Sequence, residues 1–261
     1  MKICTFASGS SGNCAVVSVG DTNILIDAGI SLRRIKNSLE KLGLEPSMLN
    51  GIILTHDHSD HTKALKMINK YYALPVFASE GTGNAVCFGL PELRPYLTTF
   101  TPGDTFTIGD IEIKSFPTPH DSPESVGYTL KAGGKTLSFA TDMGYVTRGI
   151  FRAIMGSDTV VIESNHDPDM LKRGPYPYHL KQRILSQKGH LSNHDCGRLA
   201  AELIKTGTKR IILAHLSKEN NTPRLAYDTV KKAISESGID EKTEFSLTVA
   251  EAGDPGPVYI V

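Results

Sequence analysis

Short apolar runs and longer amphipathic stretches alternate along the chain. The first apolar runs are separated by Gly, Ser and Asp turns and predict β-strands over residues 2–7, 15–19 and 23–28. In the next stretch, 31–42, leucine and isoleucine recur at spacings of three and four residues, which predicts an amphipathic helix. Gly43 follows directly, and glycine is a typical residue at the end of a helix.

The same alternation continues to the C-terminus. Apolar runs predict further strands over residues 51–55, 75–78, 126–132, 136–142, 158–164 and 210–215, with a strand-rich block at 104–116. Helical periodicity predicts helices over residues 60–72, 80–88, 147–155, 176–187, 193–205 and 222–236. The tail from residue 245 predicts one or two closing strands.

Two successive blocks of strands followed by helices indicate an α/β protein with its sheets in the centre and its helices outside. This pattern predicts an αββα four-layer sandwich. No linker, internal repeat or low-complexity tract divides the chain, so we expect residues 1–261 to form a single domain.

Charge and hydropathy exclude several classes of protein. There are 28 Lys and Arg residues and 28 Asp and Glu residues, so the formal net charge is zero. This balance argues against a uniformly basic protein surface, although not against a local basic groove. No apolar run approaches the roughly 18 residues of a membrane helix, and the N-terminal stretch lacks the apolar region of a signal peptide. The four cysteines show no CxxC spacing, so we expect reduced thiols in a cytoplasmic protein with no membrane partner.

The densest chemistry lies in the segment ILTHDHSDHTKAL, residues 53–65. Alternate residues of an extended segment point the same way, so His56 and His58 can project to one side of the chain. Asp60 and His61 follow at a predicted helix start and can turn toward a neighbouring point. Dinuclear hydrolytic sites hold their two ions about 3.5–4 Å apart and therefore need ligands this close together. A histidine-rich polar turn with no metal is the alternative.

Three further candidates come directly after apolar runs. His120 follows IEIKSF, Asp142 ends TLSFATD and His215 ends RIILAH. A sheet delivers such residues to one rim, where they could complete a metal site. Taken alone, a His or Asp at a strand end is more often an ordinary turn residue, and it is the combination with the histidine cluster that favours a metal site.

These motifs resemble the metallo-β-lactamase fold superfamily. THDHSDH matches its HxHxDH motif, and Asp27, His120, Asp142 and His215 are similar to its other motifs in the expected order. The resemblance implies the αββα fold and two divalent metal ions, which the sequence leaves open as Zn²⁺, Mn²⁺ or Fe²⁺. It assigns one ion to His56, His58 and His120, and the other to Asp60, His61 and His215. By the same resemblance Asp142 bridges the ions, Asp60 belongs to the catalytic residues, and Asp27 braces the histidine loop.

Hydrolysis is the reaction that such a site implies, through a metal-bound hydroxide. The segment GHLSN, 189–193, resembles the part of tRNase Z-like proteins that supplies a histidine to protonate the leaving oxygen, which here is His190. Glu163 resembles the carboxylate that orients this histidine, and a His–Glu pair is a sensible general acid. A surface histidine and a turn glutamate are the alternative reading.

Several residues could contact the substrate. The turn FASGSSGNC, 6–14, contains Ser10 and Asn13, and its backbone N–H groups could bind a phosphate, although a plain β-turn explains it equally well. His166, Ser217 and Asn220 follow the predicted strands that carry Glu163 and His215, and they could reach the substrate or simply form turns. The basic stretch 176–184 could touch phosphates, but a solvated helix face explains it better.

The whole chain is similar to the WalJ (also called YycJ) subfamily of small bacterial metallo-hydrolases, through SGSSGN, THDHSDH, ESNHD, YPYHLKQRI, GHLSN and HLSKENN. The resemblance implies a manganese- or zinc-dependent nuclease, with 5′-to-3′ exonuclease action on DNA. The segment between Asp142 and His215 is too short for the cap domain of the larger nucleases of this fold. An RNA or small phosphodiester hydrolase, a carboxyl-ester or thioester hydrolase and a non-enzymatic metal-holding module are the alternatives, and the sequence leaves the oligomeric state open.

Overall fold

A computed structural model describes residues 1–239 and 243–261 of the chain. Its strands form two seven-stranded sheets. The first sheet contains, in spatial order, β14 (Tyr259–Ile260), β1 (Lys2–Ala7), β2 (Cys14–Val19), β3 (Thr22–Ile26), β4 (Gly51–Ile53), β5 (Val76–Ser79) and β6 (Leu97–Phe100). The second contains β13 (Ser246–Val249), β12 (Arg210–Ala214), β11 (Thr159–Glu163), β10 (Lys135–Ala140), β9 (Val126–Ala132), β8 (Ile111–Pro117) and β7 (Thr105–Ile108).

The helices of the described residues are α1 (Leu32–Glu40), α2 (Ser59–Thr62), α3 (Leu65–Tyr72), α4 (Glu80–Gly89), α5 (Arg148–Ile154), α6 (Pro168–Arg173), α7 (Tyr178–Leu185), α8 (Asn193–Lys205) and α9 (Pro223–Glu236), with 3-10 turns at Pro46–Met48 and Pro91–Tyr96. In the part of the chain described, no helix is both long enough and apolar enough to span a bilayer.

Three layers of buried side chains hold the sandwich together. Alternate residues of a strand face opposite sides, so in β3 Leu25 packs toward the helices while Ile24 and Ile26 pack toward the other sheet. Helices α1, α3 and α4 cover the first sheet, and α5, α8 and α9 cover the second. The predicted αββα four-layer sandwich is confirmed.

Three elements differ from the predicted ones. The helix predicted over 60–72 is broken between α2 and α3, because Ala64 N donates to Ala28 O at 2.8 Å and Ala28 N donates to His61 O at 2.8 Å. These tertiary hydrogen bonds replace helical ones at the break. The prediction also omits strand β6 and helix α6, whose six residues are too few for a clear periodic pattern.

The C-terminal tail connects the two sheets. Its strand β13 pairs in parallel with β12 in the second sheet, whereas β14 pairs antiparallel with β1 in the first. The predicted strands of the tail are therefore confirmed. The tail adds one edge strand to each of the two sheets.

Candidate metal centre

The candidate residues meet at one edge of the sandwich. Strands β8, β10, β11 and β12 run in the same direction, as do β3 and β4, so their C-terminal ends deliver polar residues to a common rim. Asp27 and His215 directly follow β3 and β12, and Asp142 lies two residues after β10. These three residues have positive φ angles of 60°, 56° and 57°, respectively. Non-glycine residues rarely adopt this left-handed conformation. The strained turns direct three side chains into the rim.

The first group of candidate ligands consists of His56, His58 and His120, whose ligand atoms lie within 4.8 Å of one another. His58 Nδ1 lies 3.4 Å from His120 Nε2. His120 is fixed by its other nitrogen, Nδ1, which donates to Gly189 O at 3.1 Å. Burial, then the imidazoles of His61, His120 and His58, hold the pKa of His56 well below its usual value, so this ring is neutral.

The second group consists of Asp60, His61 and His215, again within 4.8 Å. Asp60 Oδ2 lies 3.6 Å from His61 Nε2 and 3.7 Å from His215 Nε2. Asp142 lies between the two groups, because it also forms a cluster with His56 and His61, and its Oδ2 is 3.6 Å from His61 Nε2. All seven candidate ligands therefore lie in one continuous cluster.

Unpartnered buried atoms test whether this pocket fits a metal. His56 Nε2, His215 Nε2 and Asp142 Oδ2 are buried and have no hydrogen-bond partner among residues 1–239 and 243–261. A buried polar atom without a partner costs free energy, about 1–3 kcal/mol each. Imidazole nitrogens and carboxylate oxygens are ligands for divalent transition metals, and cations here would satisfy all three atoms. The residues fit the metal ions that the fold implies.

Asp27 supports the histidine loop from beneath. Its Oδ2 accepts from His61 Nδ1 at 2.8 Å and from the hydroxyl of Thr55 at 2.8 Å, while its Oδ1 accepts from Thr55 N at 2.8 Å. Burial lowers the pKa of His61, but the carboxylates of Asp27 and Asp142 outweigh burial and the pKa is raised. This carboxylate fixes the ring orientation of His61 so that Nε2 faces Asp60 and Asp142.

An Asp27→Asn variant is expected to weaken metal binding by about 10- to 100-fold, the usual effect of losing a group that orients a metal ligand. Asparagine tolerates the left-handed backbone at this position, so the variant changes the acceptor and not the turn. Calorimetric titration of Mn²⁺ or Zn²⁺ into metal-free protein measures the change. Equal affinity in variant and wild type would show that Asp27 does not orient His61.

The histidine loop rests on a junction of three backbone segments. Gly29 N donates to Asn13 O, and Asn13 N donates to Asp60 O, both at 2.8 Å. A Cβ atom on Gly29 would lie 1.6 Å from Asp60 O, so only glycine allows this approach. The Asn13 side chain also lies 2.9 Å from His61 Nε2 and 3.3 Å from Asp60 Oδ2. The turn 6–14 thus supports the candidate ligands directly.

A Gly29→Ala variant is expected to displace Asp60 and to lower the free energy of unfolding by about 1–3 kcal/mol, the usual cost of overpacking. Its matched control is Gly89→Ala, because a Cβ atom there meets nothing within 4 Å. Thermal unfolding and metal content of both variants give the comparison. Similar melting temperatures for the two variants would contradict the close contact at Gly29.

Glu163 joins the candidate general acid to the candidate ligands. Its Oε1 accepts from His190 Nδ1 at 2.7 Å and from His215 Nδ1 at 2.9 Å. Its Oε2 accepts from the backbone N–H groups of Met143 at 3.0 Å and Leu191 at 3.1 Å. Burial opposes its charge, but His190 and His215 outweigh burial and hold the pKa of Glu163 well below its usual value. Glu163 is a buried, ionised carboxylate with four donors.

A cavity of about 240 Å³ opens above these groups. Two residues predicted to contact substrate, Ser10 and Ser217, line it together with His190. The other three do not line it: Asn13 lies against His61 and Asp60, Asn220 Nδ2 donates to Ser217 Oγ at 3.3 Å, and His166 is buried beside Ser192. Burial lowers the pKa of His166 to about 4, so this ring is neutral at physiological pH.

Four residues at the site were not among the predicted ones. Thr55 links Asp27 to His56 and His61, and Asn165 Nδ2 donates to His215 O at 2.9 Å. Asp121 Oδ1 lies 3.3 Å from His120 Nε2 and accepts from Arg183 Nη2 at 3.0 Å. Arg183 itself lines the cavity, so the basic stretch 176–184 is not merely a solvated face. Adjacency to a predicted ligand was a signal for Thr55 and Asp121.

Residues 22–216 match the family described as "Beta-lactamase superfamily domain", and the chain belongs to that family. The curated relatives include "Exodeoxyribonuclease YycJ" of Bacillus anthracis, 38% identical over 98% of this chain and 97% of that protein. "Exodeoxyribonuclease WalJ" of Streptococcus pneumoniae is 35% identical over 94% of this chain and 93% of that protein. A crystal structure of the metallo-β-lactamase fold protein YhfI from Bacillus subtilis superimposes with a TM-score of 0.75 over 99% of this chain and 98% of that one, at 19% identity. The resemblance to the YycJ/WalJ proteins is confirmed.

Proposed function

We propose that this protein is a metal-dependent phosphodiesterase that removes nucleotides from the 5′ end of DNA. The observation that carries the proposal is the pairing of His190 with the buried carboxylate of Glu163, 2.7 Å apart, next to the candidate metal ligands. The alkoxide released from a phosphodiester is a strong base, so its departure needs a proton donor. A histidine held by a carboxylate is suited to that role.

We propose that two divalent ions, Zn²⁺, Mn²⁺ or Fe²⁺, are held by His56, His58 and His120 and by Asp60, His61 and His215, with Asp142 shared between them. Such ions, when bound, supply hydroxide at neutral pH and neutralise the charge that develops on phosphoryl oxygens. The convergence of these ligand atoms within 4.8 Å supports the assignment.

The residues around the proposed ions have separate roles in the reaction. Asp60 lines the cavity with its Oδ2 atom 3.6 Å from His61 Nε2 and 3.7 Å from His215 Nε2, and we propose that this carboxylate faces the substrate. Glu163 keeps the His190 ring oriented, and His190 donates its Nε2 proton to the leaving oxygen. Ser10, Ser217 and Arg183 line the cavity, and we propose that they bind phosphate oxygens.

DNA is the proposed substrate because curated relatives matching nearly the whole chain are named exodeoxyribonucleases. We propose that the chain acts as one domain, since both sheets contribute residues to the same rim. We also propose a cytoplasmic setting. All four cysteines, none of which falls within 240–242, are free and buried, as in proteins of reducing compartments.

End-labelled DNA and RNA, single- and double-stranded, with and without a 5′ phosphate, test the proposal under Zn²⁺, Mn²⁺ and Fe²⁺. We expect release of mononucleotides from the 5′ end of DNA. A thioester and bis-p-nitrophenyl phosphate are offered in parallel. Hydrolysis of the thioester alone would overturn the nuclease assignment.

A further inference from the structure

A groove distinct from the metal centre runs between helices α5 and α8. It has a volume of about 510 Å³ and is lined by basic, aromatic and aliphatic side chains. Arg148 and Arg152 lie one turn apart on α5, so both face the groove from the same wall. Arg198 of α8 lines it as well.

The charge in this groove is unbalanced, although the whole chain has no net charge. Its two acidic residues both lie on α8 and are already paired: Asp195 with Arg198, and Glu202 with Lys205 at 2.8 Å. Arg148 and Arg152 form no ion pair with any residue in 1–239 or 243–261. Three arginines and two carboxylates line the groove, so its lining has a net positive charge. The exposed side chains of Arg148 and Arg152 contribute this charge without an ion-pair partner in the same part of the chain.

Aromatic rings accompany the arginines. Tyr145 is 45% exposed and lines the groove, and the half-buried Phe151 lines it too. Stacking of bases on aromatic rings, combined with a basic groove along the backbone, is how proteins bind single-stranded nucleic acid without reading its sequence. The groove contains both components.

The groove begins next to the metal centre. Asp142 lines the cavity and Tyr145 lines the groove, and Gly144 between them packs on the backbone of Gln187. The turn that contains Gln187 leads directly to His190, and the exposed Lys188 lies in it. A chain leaving the cavity over this turn would therefore pass a further basic side chain before it reaches Arg148.

We propose that the α5–α8 groove binds the single-stranded part of the DNA strand being cut, beyond the nucleotide at the metal centre. The proposal rests on the proposed function and adds a path for the substrate. Arg148 and Arg152 bind consecutive backbone phosphates, and Tyr145 stacks on a base.

The first test is the Arg148→Gln/Arg152→Gln double variant, with Lys66→Gln/Lys70→Gln on α3 as its control, because those exposed lysines lie on the opposite layer. The ligand is a phosphorothioate single strand of about 20 nucleotides, which resists cleavage. Two lost phosphate contacts are expected to reduce the slope of log K against log salt by about 1.4, which corresponds to about 25-fold weaker binding at 0.1 M salt. Hydrolysis of bis-p-nitrophenyl phosphate, which fills only the cavity, is expected to be unchanged.

The second test uses the absence of tryptophan from the sequence. In a Tyr145→Trp variant the new indole is the only one, so its fluorescence reports on the groove alone. We expect quenching by the long single strand and none by a dinucleotide, since base stacking quenches indole.

The outcomes separate this proposal from the proposed function. If wild-type protein degrades DNA but the arginine double variant binds the long strand like the lysine control, the groove proposal is overturned and the nuclease proposal stands. Stronger loss of binding for duplex than for single strand would overturn the single-strand assignment. If wild-type protein neither cleaves nor binds DNA, both proposals are wrong.

Discussion

An Asp142→Asn variant is expected to fold normally and to lose at least one of the two ions that we propose for the site. Its rate of diester cleavage is expected to fall by about 10⁴-fold or more. Asp142 is 2% exposed, and its Oδ1 lies 3.4 Å from His215 Nδ1 while its Oδ2 lies 3.6 Å from His61 Nε2. Removing its charge leaves two groups of ligands without the carboxylate that we propose they share. Asparagine also tolerates the left-handed backbone here, so the turn after β10 is retained.

Metal content by mass spectrometry, circular dichroism and the rate of diester cleavage measure the three parts of this expectation. Asp110→Asn is the matched control, because Asp110 lies exposed in the hairpin turn between β7 and β8 and its backbone N donates to Thr22 at the opposite end of β3 from Asp27. Full occupancy by two ions in Asp142→Asn would refute the shared role of this carboxylate, whatever the activity.

The rim of the site could be predicted from sequence because it depends on a simple geometric rule. Polar residues that directly follow apolar strands meet when the strands are parallel, as His120, Asp142 and His215 do. The family and the four-layer fold are confirmed, whereas the ligand roles of the individual residues stay predictions. Positive φ angles at three rim positions could not be predicted, since they follow from tertiary contacts rather than from local propensity.

The contacts of the supporting residues could not be predicted, for a different reason. Thr55 and Asn165 are small polar residues in turns, where such residues are common whether or not they contact a site. Their importance comes from partners far away in sequence, such as Asp27 for Thr55. Glu163 was predicted to orient His190, but its second bond, to His215, depends on the pairing of β11 with β12.

Hydrophobic periodicity also gives a wrong helix boundary where tertiary hydrogen bonds replace helical ones. The stretch 60–72 has a helical pattern, yet Ala28 takes two of its backbone hydrogen bonds and divides it. The break places Asp60 and His61 on a separate short helix, α2, beside Asn13 and Asp27. The interruption of the helix is thus part of how the candidate ligands are positioned.

A His190→Ala variant is expected to keep its metal ions and to cleave DNA about 10²- to 10⁴-fold more slowly, the usual contribution of a general acid. The His190 ring borders the cavity and is held by Glu163, but it also lies within 4.8 Å of ligand atoms from Asp142, Glu163 and His215. Two roles are therefore open to this imidazole, proton donor and metal ligand. Metal content separates them, because only the loss of a ligand releases an ion.

The leaving group gives a sharper distinction. Bis-p-nitrophenyl phosphate releases a stable phenolate that needs no proton, so a general acid contributes little to its hydrolysis. We expect His190→Ala to slow cleavage of this ester far less than cleavage of DNA, whereas loss of a metal ligand would slow both alike. His194→Ala, in an exposed position on α8, is the matched control and should behave like wild type with both substrates. If His190→Ala cleaves DNA at the wild-type rate, the proton that the leaving oxygen needs comes from another group.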